Sequence, residues 1–161
     1  MDQPTADKAL GELDVLVGEW TMKATWPSGE SWPGRVTFEW LDSGRHLLQR
    51  GSLDYPQAPD NTSVIGCDGA NGTYYQLYSD ERDVCRVFQM SIGDGVLSFW
   101  RDGEPFSQRF SGTFSDDGNT ITGYWELAQD GKNFAKDFDL VFERVSGSSR
   151  GRWPTDSGKT K

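Results

Sequence analysis

The chain has little of the material from which most catalytic centres and covalent frameworks are built. Its 161 residues include one histidine, His46, and two cysteines, Cys67 and Cys85. A zinc site needs clustered Cys and His, which these three residues do not supply, so no metal ligand set is expected. A nucleophilic triad needs Ser or Cys beside a His base and an orienting acid, and no nucleophile motif accompanies His46. Gly93, Asp94 and Gly95 form no phosphate loop, because no helix follows them to supply a dipole. No apolar run approaches the roughly 18 residues that cross a bilayer, and the start of the chain is polar and acidic rather than a basic segment followed by an apolar one. Positive charge is short as well. The formal net charge of -9 repels phosphate backbones and anionic lipid, so neither nucleic acid nor membrane is an expected partner, and a cytoplasmic location is expected.

What the chain has is aromatic bulk. Aromatic residues make up 13% of it, with seven Trp and nine Phe, against an ordinary charged share. The length suits one domain with a single core. From Thr5 the apolar positions Ala6, Ala9, Leu10, Leu13, Leu16 and Val17 recur at helical spacing, with Thr5 as a cap and Gly18 as a stop, which predicts a short helix over 5–17.

After Gly18 the period changes to two and stays so to about Val145. Segments 19–26, 35–41, 45–54, 62–68, 73–79, 84–92, 96–101, 106–115, 120–128 and 133–144 alternate between Gly, Pro, Asn and Asp turns, which predicts about ten strands. Most connections are hairpin-length, so strands adjacent in sequence pair in space. The fold expected is all-β over residues 1–146: a closed antiparallel up-and-down lipocalin-like barrel, with the helix plugging one end. Residues 147–161 are rich in Ser, Gly and Lys and read as a disordered tail. Cys67 and Cys85 fall on the fourth and sixth strands, about 9 to 10 Å apart, too far for a disulfide, and are expected to be reduced core thiols. The sequons at Asn61 and Asn71 read as turn asparagines.

Parity sorts the strands into two faces. The inward sets are Trp20, Met22, Ala24 and Trp26; Val36, Phe38 and Trp40; Arg86, Phe88 and Met90; Phe106, Gln108, Phe110 and Phe114; Ile121, Trp125 and Leu127; and Lys136, Phe138, Leu140, Phe142 and Arg144. Strands three, four, five and seven do not resolve. Outward Glu39, Glu126, Asp137 and Asp139 are expected to pair with Lys23, Arg50 and Arg109. Arg86, Gln108 and Lys136 stand at the starts of even-numbered strands, which share one end of a meander, and Trp26, Trp100 and Tyr78 finish odd strands there. Two readings of that rim stay open. Its long side chains either clamp an anionic group at the mouth of an aromatic pocket or snorkel outward and solvate the rim. The first reading makes Trp26, Phe38, Arg86, Phe88, Trp100, Gln108, Phe110 and Lys136 the ligand-binding set.

Gly18, Glu19 and Trp20 open the first strand while Arg144 closes the last, and barrel closure makes those strands neighbours. This resembles the calycin signature, in which Trp of a Gly-x-Trp packs beneath an Arg of the last strand. The order Leu16, Val17, Gly18, Glu19, Trp20; Leu41 to Arg45; Ile65 to Asp68 with Gly72 to Tyr75; and Gly112 to Ser115 before Gly123 to Glu126 is similar to an uncharacterised bacterial family of lipocalin-like barrels, a domain of unknown function distantly akin to nitrobindin. The resemblance implies the barrel. It does not imply haem, because nitrobindin-type barrels use a late proximal His and none follows His46 here.

Function is therefore expected to be binding or carriage of a small hydrophobic or aromatic, anionic molecule inside the barrel, without a cofactor, by a monomer or homodimer. The alternative is a cyclase- or isomerase-type enzyme that folds a substrate in the cavity, with His46 as its best candidate for acid-base work if that side chain points inward.

Overall fold

The computed structural model describes residues 3–146. The tail expected from Gly147 onward lies outside the described residues. Helix α1, Gln3–Gly11, starts ahead of Thr5 and runs into a 3-10 turn, Glu12–Leu16. Three residues per 3-10 turn put positions i and i+3 on one side, so Leu13 and Leu16 both point into the barrel and are fully buried. Val17 is extended, and Gly18, at φ 133°, makes the corner into the first strand in a backbone conformation that a side chain resists.

Ten strands follow: β1 Gly18–Thr25, β2 Ser31–Trp40, β3 Leu47–Leu53, β4 Asn61–Asp68, β5 Thr73–Asp80, β6 Cys85–Gly93, β7 Val96–Arg101, β8 Ser107–Phe114, β9 Thr120–Ala128 and β10 Ala135–Ser146. Each pairs antiparallel with its neighbours in sequence, and β1 pairs with β10 to close the barrel. Every segment expected from the alternation is a strand. β2 starts four residues earlier than expected, at Ser31, and runs through Pro33 and Gly34. The Pro33 carbonyl accepts the Asp54 N–H at 2.8 Å, and the β2–β3 ladder reaches only Gly34 opposite Leu53. The missing N–H of Pro33 thus falls past the end of that ladder, where it costs no pairing.

The outer wall carries cross-strand ion pairs on some strands and an apolar row, Leu48, Val64, Leu77 and Val87, across β3 to β6. Arg35 pairs with Glu19, Arg50 with Glu39 at 2.9 Å and Arg109 with Glu126 at 2.7 Å. No helix among the described residues is long and apolar enough to cross a membrane. Cys67 and Cys85 do lie on β4 and β6 and are unbridged, but only Cys67 is part of the interior. Cys85 is exposed, because it has the outward parity of Val87 and Gln89, opposite to that of Phe88 and Met90. Burial lifts the Cys67 thiol above its ordinary pKa.

Candidate functional site

The two ends of the barrel are built differently. At the helix end the Trp20 and Arg144 positions are partners in the β1–β10 register, and the Arg144 guanidinium lies 4.1 Å above the Trp20 ring. Its nitrogens donate to the carbonyls of Val17 at 2.7 Å and Val15 at 2.6 Å, while Nε donates to Asn119 Oδ1 at 2.9 Å. Trp20 Nε1 donates to the Leu16 carbonyl at 2.8 Å. One strand pair thus fastens the plug. Trp40 Nε1 adds a bond to Asp14 Oδ1 at 2.9 Å and the Tyr74 hydroxyl one to the Ala9 carbonyl at 2.7 Å. Trp20, Leu47 and Ile65 below are fully buried.

At the other end the inward side chains keep solvent contact. Trp26, Leu53, Tyr78, Arg86, Gln108, Trp125, Leu127 and Phe138 face inward by register yet are only partly buried. In a closed wall this means that solvent reaches them from within the mouth. Around the rim, Trp26 stacks on Phe138 with centroids 5.1 Å apart, and Tyr55 of the β3–β4 loop packs against both Trp26 at 5.5 Å and Trp32 at 5.2 Å. Deeper, Phe110 meets Trp125 at 5.4 Å and Trp125 meets Phe88 at 5.8 Å, which forms a continuous aromatic wall.

Arg86 and Gln108 are at the mouth, as their parity predicts. Arg86 donates to Gln108 Oε1 at 3.5 Å and its guanidinium lies 5.1 Å from the Phe106 ring. The second cation at this rim is Arg101, not Lys136. Arg101 shares the inward parity of Leu97 and Phe99, stands opposite Gln108 in the β7–β8 register, and is held by the carbonyls of Phe106 at 2.7 Å and Glu104 at 2.7 Å. Burial and then the nearby Arg86 charge push its pKa below the usual guanidinium value. Neither arginine forms an ion pair among the described residues.

Two of the expected ligand-binding residues are therefore on the wrong face. A register shift between Lys136 and Phe138 reverses parity at the start of β10, so Lys136 is exposed, ion-paired with Asp139 at 2.9 Å and 5.1 Å from the outward Tyr124 ring. Trp100 is opposite Gln89 and Arg109, both outward, because the inward set of β7 is Leu97, Phe99 and Arg101. With Arg109, Glu126 and Phe134 it lines an outer-wall groove of about 460 Å³. A second pocket, of about 500 Å³, lies along the β9–β10 connection, lined by Leu127 and Ala135 as well as Asn133 and Lys136. Phe38, Phe88 and Phe110 face inward and are buried, Phe38 toward the plugged end opposite Gly18. His46 is exposed, with its ring packed on Gly66 on the outer wall, which removes it from any interior chemistry.

Strands β3 to β5 bring in polar groups that periodicity did not resolve. Gln49, Ser63, Gln76 and Tyr78 all face the interior. Gln76 Nε2 donates to Gln49 Oε1 at 2.9 Å, and the Tyr78 hydroxyl donates to Asp80 Oδ2 at 2.7 Å. Burial and that carboxylate push the Tyr78 hydroxyl well above the usual phenol range. Asp80, ion-paired to Arg82 at 2.7 Å, is held down to about 2.

No protein-family model matches the chain, and no curated protein matches it in sequence. Solved structures do. Rv2717c from M. tuberculosis superimposes with a TM-score of 0.60 at 14% identity over 86% of this chain and 98% of that one. A protein of unknown function of the DUF3598 family from Nostoc punctiforme gives 0.56 at 15% identity over 83% of this chain, which spans 49% of that longer one. The S-type phycobiliprotein lyase CPES from Guillardia theta gives 0.55 at 10% identity over 89% and 98%. What the chain shares with them is the fold, here a closed ten-stranded antiparallel barrel. At these identities the likeness concerns the scaffold, and every residue of the interior described above is this chain's own.

Proposed function

We propose that the protein is a binding or carrier protein that takes a small aromatic, anionic molecule into the open end of its barrel. The observation that carries this reading is the pair of inward guanidiniums, Arg86 and Arg101, set beside Gln108 near an aromatic wall and outside any ion pair, with Asp102 acting on Arg101 from beyond ion-pair distance. Two partly buried arginines outside any ion pair in one mouth can take a carboxylate, sulfonate or phosphate, and the Phe88, Phe110 and Trp125 wall supplies stacking area for the body of the ligand.

The phycobiliprotein lyase among the structural neighbours has a function in its name, but at 10% identity it lends this chain the scaffold and no residue of a lyase site. Binding accounts for what the interior holds. The enzymatic alternative loses its acid-base candidate with His46 on the outside. Native mass spectrometry of freshly purified protein tests the proposal. A mass increment that disappears in Arg86→Gln/Arg101→Gln supports it; an increment that the double variant retains places the ligand elsewhere and overturns it.

A further inference from the structure

The outer wall carries a groove that plays no part in the barrel mouth. Across β6 to β9 two rows of outward side chains run side by side, Gln89, Trp100, Arg109 and Glu126 in one and Ser91, Ser98, Ser111 and Tyr124 in the next. The groove of about 460 Å³ lies over them, and the three small serines, with Trp100 and Phe134, are among its lining. Its size falls within the roughly 300 to 1,000 Å³ of small-molecule sites. Trp100 is half-buried and makes no hydrogen bond, ring stack or cation contact among the described residues. The hydroxyls of Ser91, Ser98 and Ser111 are likewise without a partner among those residues.

The charges present rule out two kinds of occupant. Arg109 is engaged: its Nε donates to Glu126 Oε1 at 2.7 Å and its guanidinium lies 3.8 Å from the Phe134 ring, while Asp102 adds a carboxylate to the lining. An anion therefore meets no free cation. An organic cation needs open ring faces around it, but Arg109 already occupies the Phe134 ring and repels a second positive charge. The remaining occupant is neutral, with an apolar face for the indole and hydroxyls that both donate and accept. We propose that this groove binds a saccharide, a pyranose ring packing its C–H face on Trp100 while its hydroxyls bond to Ser98, Ser111 and the Arg109–Glu126 pair. The indole face is electron-rich and attracts C–H hydrogens, and Arg109 keeps unused N–H donors beside the free oxygen of Glu126. A flat heteroaromatic also stacks on Trp100, but it gives few donors to Glu126 and Asp102. Sugars with equatorial hydroxyls present the flattest C–H face, which makes a β-1,4-linked glucose chain the expected class.

Calorimetric titration with cellotriose tests the proposal. The wild-type protein should bind it with a Kd on the order of 1 mM, and Trp100→Ala should weaken binding about tenfold or more. Ser111→Tyr fills the groove floor from an exposed strand position that accepts an aromatic residue, so it should block cellotriose at an unchanged urea midpoint, which separates lost recognition from lost folding. Saturating anthracene-2-sulfonate, the probe for the mouth, should leave the cellotriose affinity as it is. No binding below about 20 mM cellotriose, caffeine bound as tightly as cellotriose, or equal cellotriose affinity in Trp100→Ala overturns the proposal and leaves the reading of the mouth standing. Displacement of cellotriose by the sulfonate would put both in one place and overturn it too.

Discussion

Arg144 is a half-buried cation whose partners are an indole face and backbone carbonyls rather than a carboxylate, and burial accordingly lowers its pKa. Arg144→Met keeps the volume but strands the Val15 and Val17 carbonyls, so it should cost about 3 kcal/mol in urea unfolding. A loss under about 1 kcal/mol would mean that the seal is incidental. Asp80 makes a different prediction. Its carboxyl, hydrogen-bonded by Arg82 and Tyr78, titrates at about 2 in the folded protein against an ordinary 3.8. A depressed folded value contributes stability above the unfolded pKa, and this is lost as pH falls from about 4 to about 2. The stability gap between wild type and Asp80→Asn should therefore be full at pH 5, mostly lost at pH 2 and closed only below it. A gap independent of pH would contradict the assignment.

The plug and the β10 bulge decide the character of the two ends. Leu13 and Leu16 fill the closed end completely, and Leu13→Ala should cost about 2 to 5 kcal/mol in urea unfolding, as buried Leu truncations do. A near-neutral result would mean that the helix rests on the barrel rather than in it. The bulge explains what was and was not legible in the sequence. All ten strands follow from period-two alternation and turn residues, as does the inward placement of Arg86 and Gln108, while the Trp20–Arg144 packing is what the resemblance to the Gly-x-Trp signature implied. Parity counting fails where one residue is inserted, and Lys136 is miscounted for that reason. It also falters where the interior is polar. Gln49, Ser63 and Gln76 break the apolar rhythm of β3 to β5, and Arg101 closes the inward set of β7 while Trp100 beside it mimics one. The unresolved strands include those that face the interior with polar groups. The corrected faces predict that Lys136→Ala leaves binding of an aromatic sulfonate within about twofold, whereas Arg101→Gln weakens it about tenfold or more, the effect of a lost charge-assisted bond.

At the scale of the whole molecule, closure removes every sheet edge, so the barrel offers its interior rather than a strand for recognition. One end is sealed by a cation on an indole and the other carries two inward cations that stand outside any ion pair. With a net charge of -9 over the chain, a pair of unpaired inward arginines is a local reversal of sign rather than part of a basic surface. The most direct test is a fluorescence titration of anthracene-2-sulfonate against wild-type protein and Arg86→Gln/Arg101→Gln. The account predicts saturation at one probe per chain and a loss of at least tenfold in affinity in the double variant at unchanged urea stability. Binding of equal strength in both proteins would contradict it.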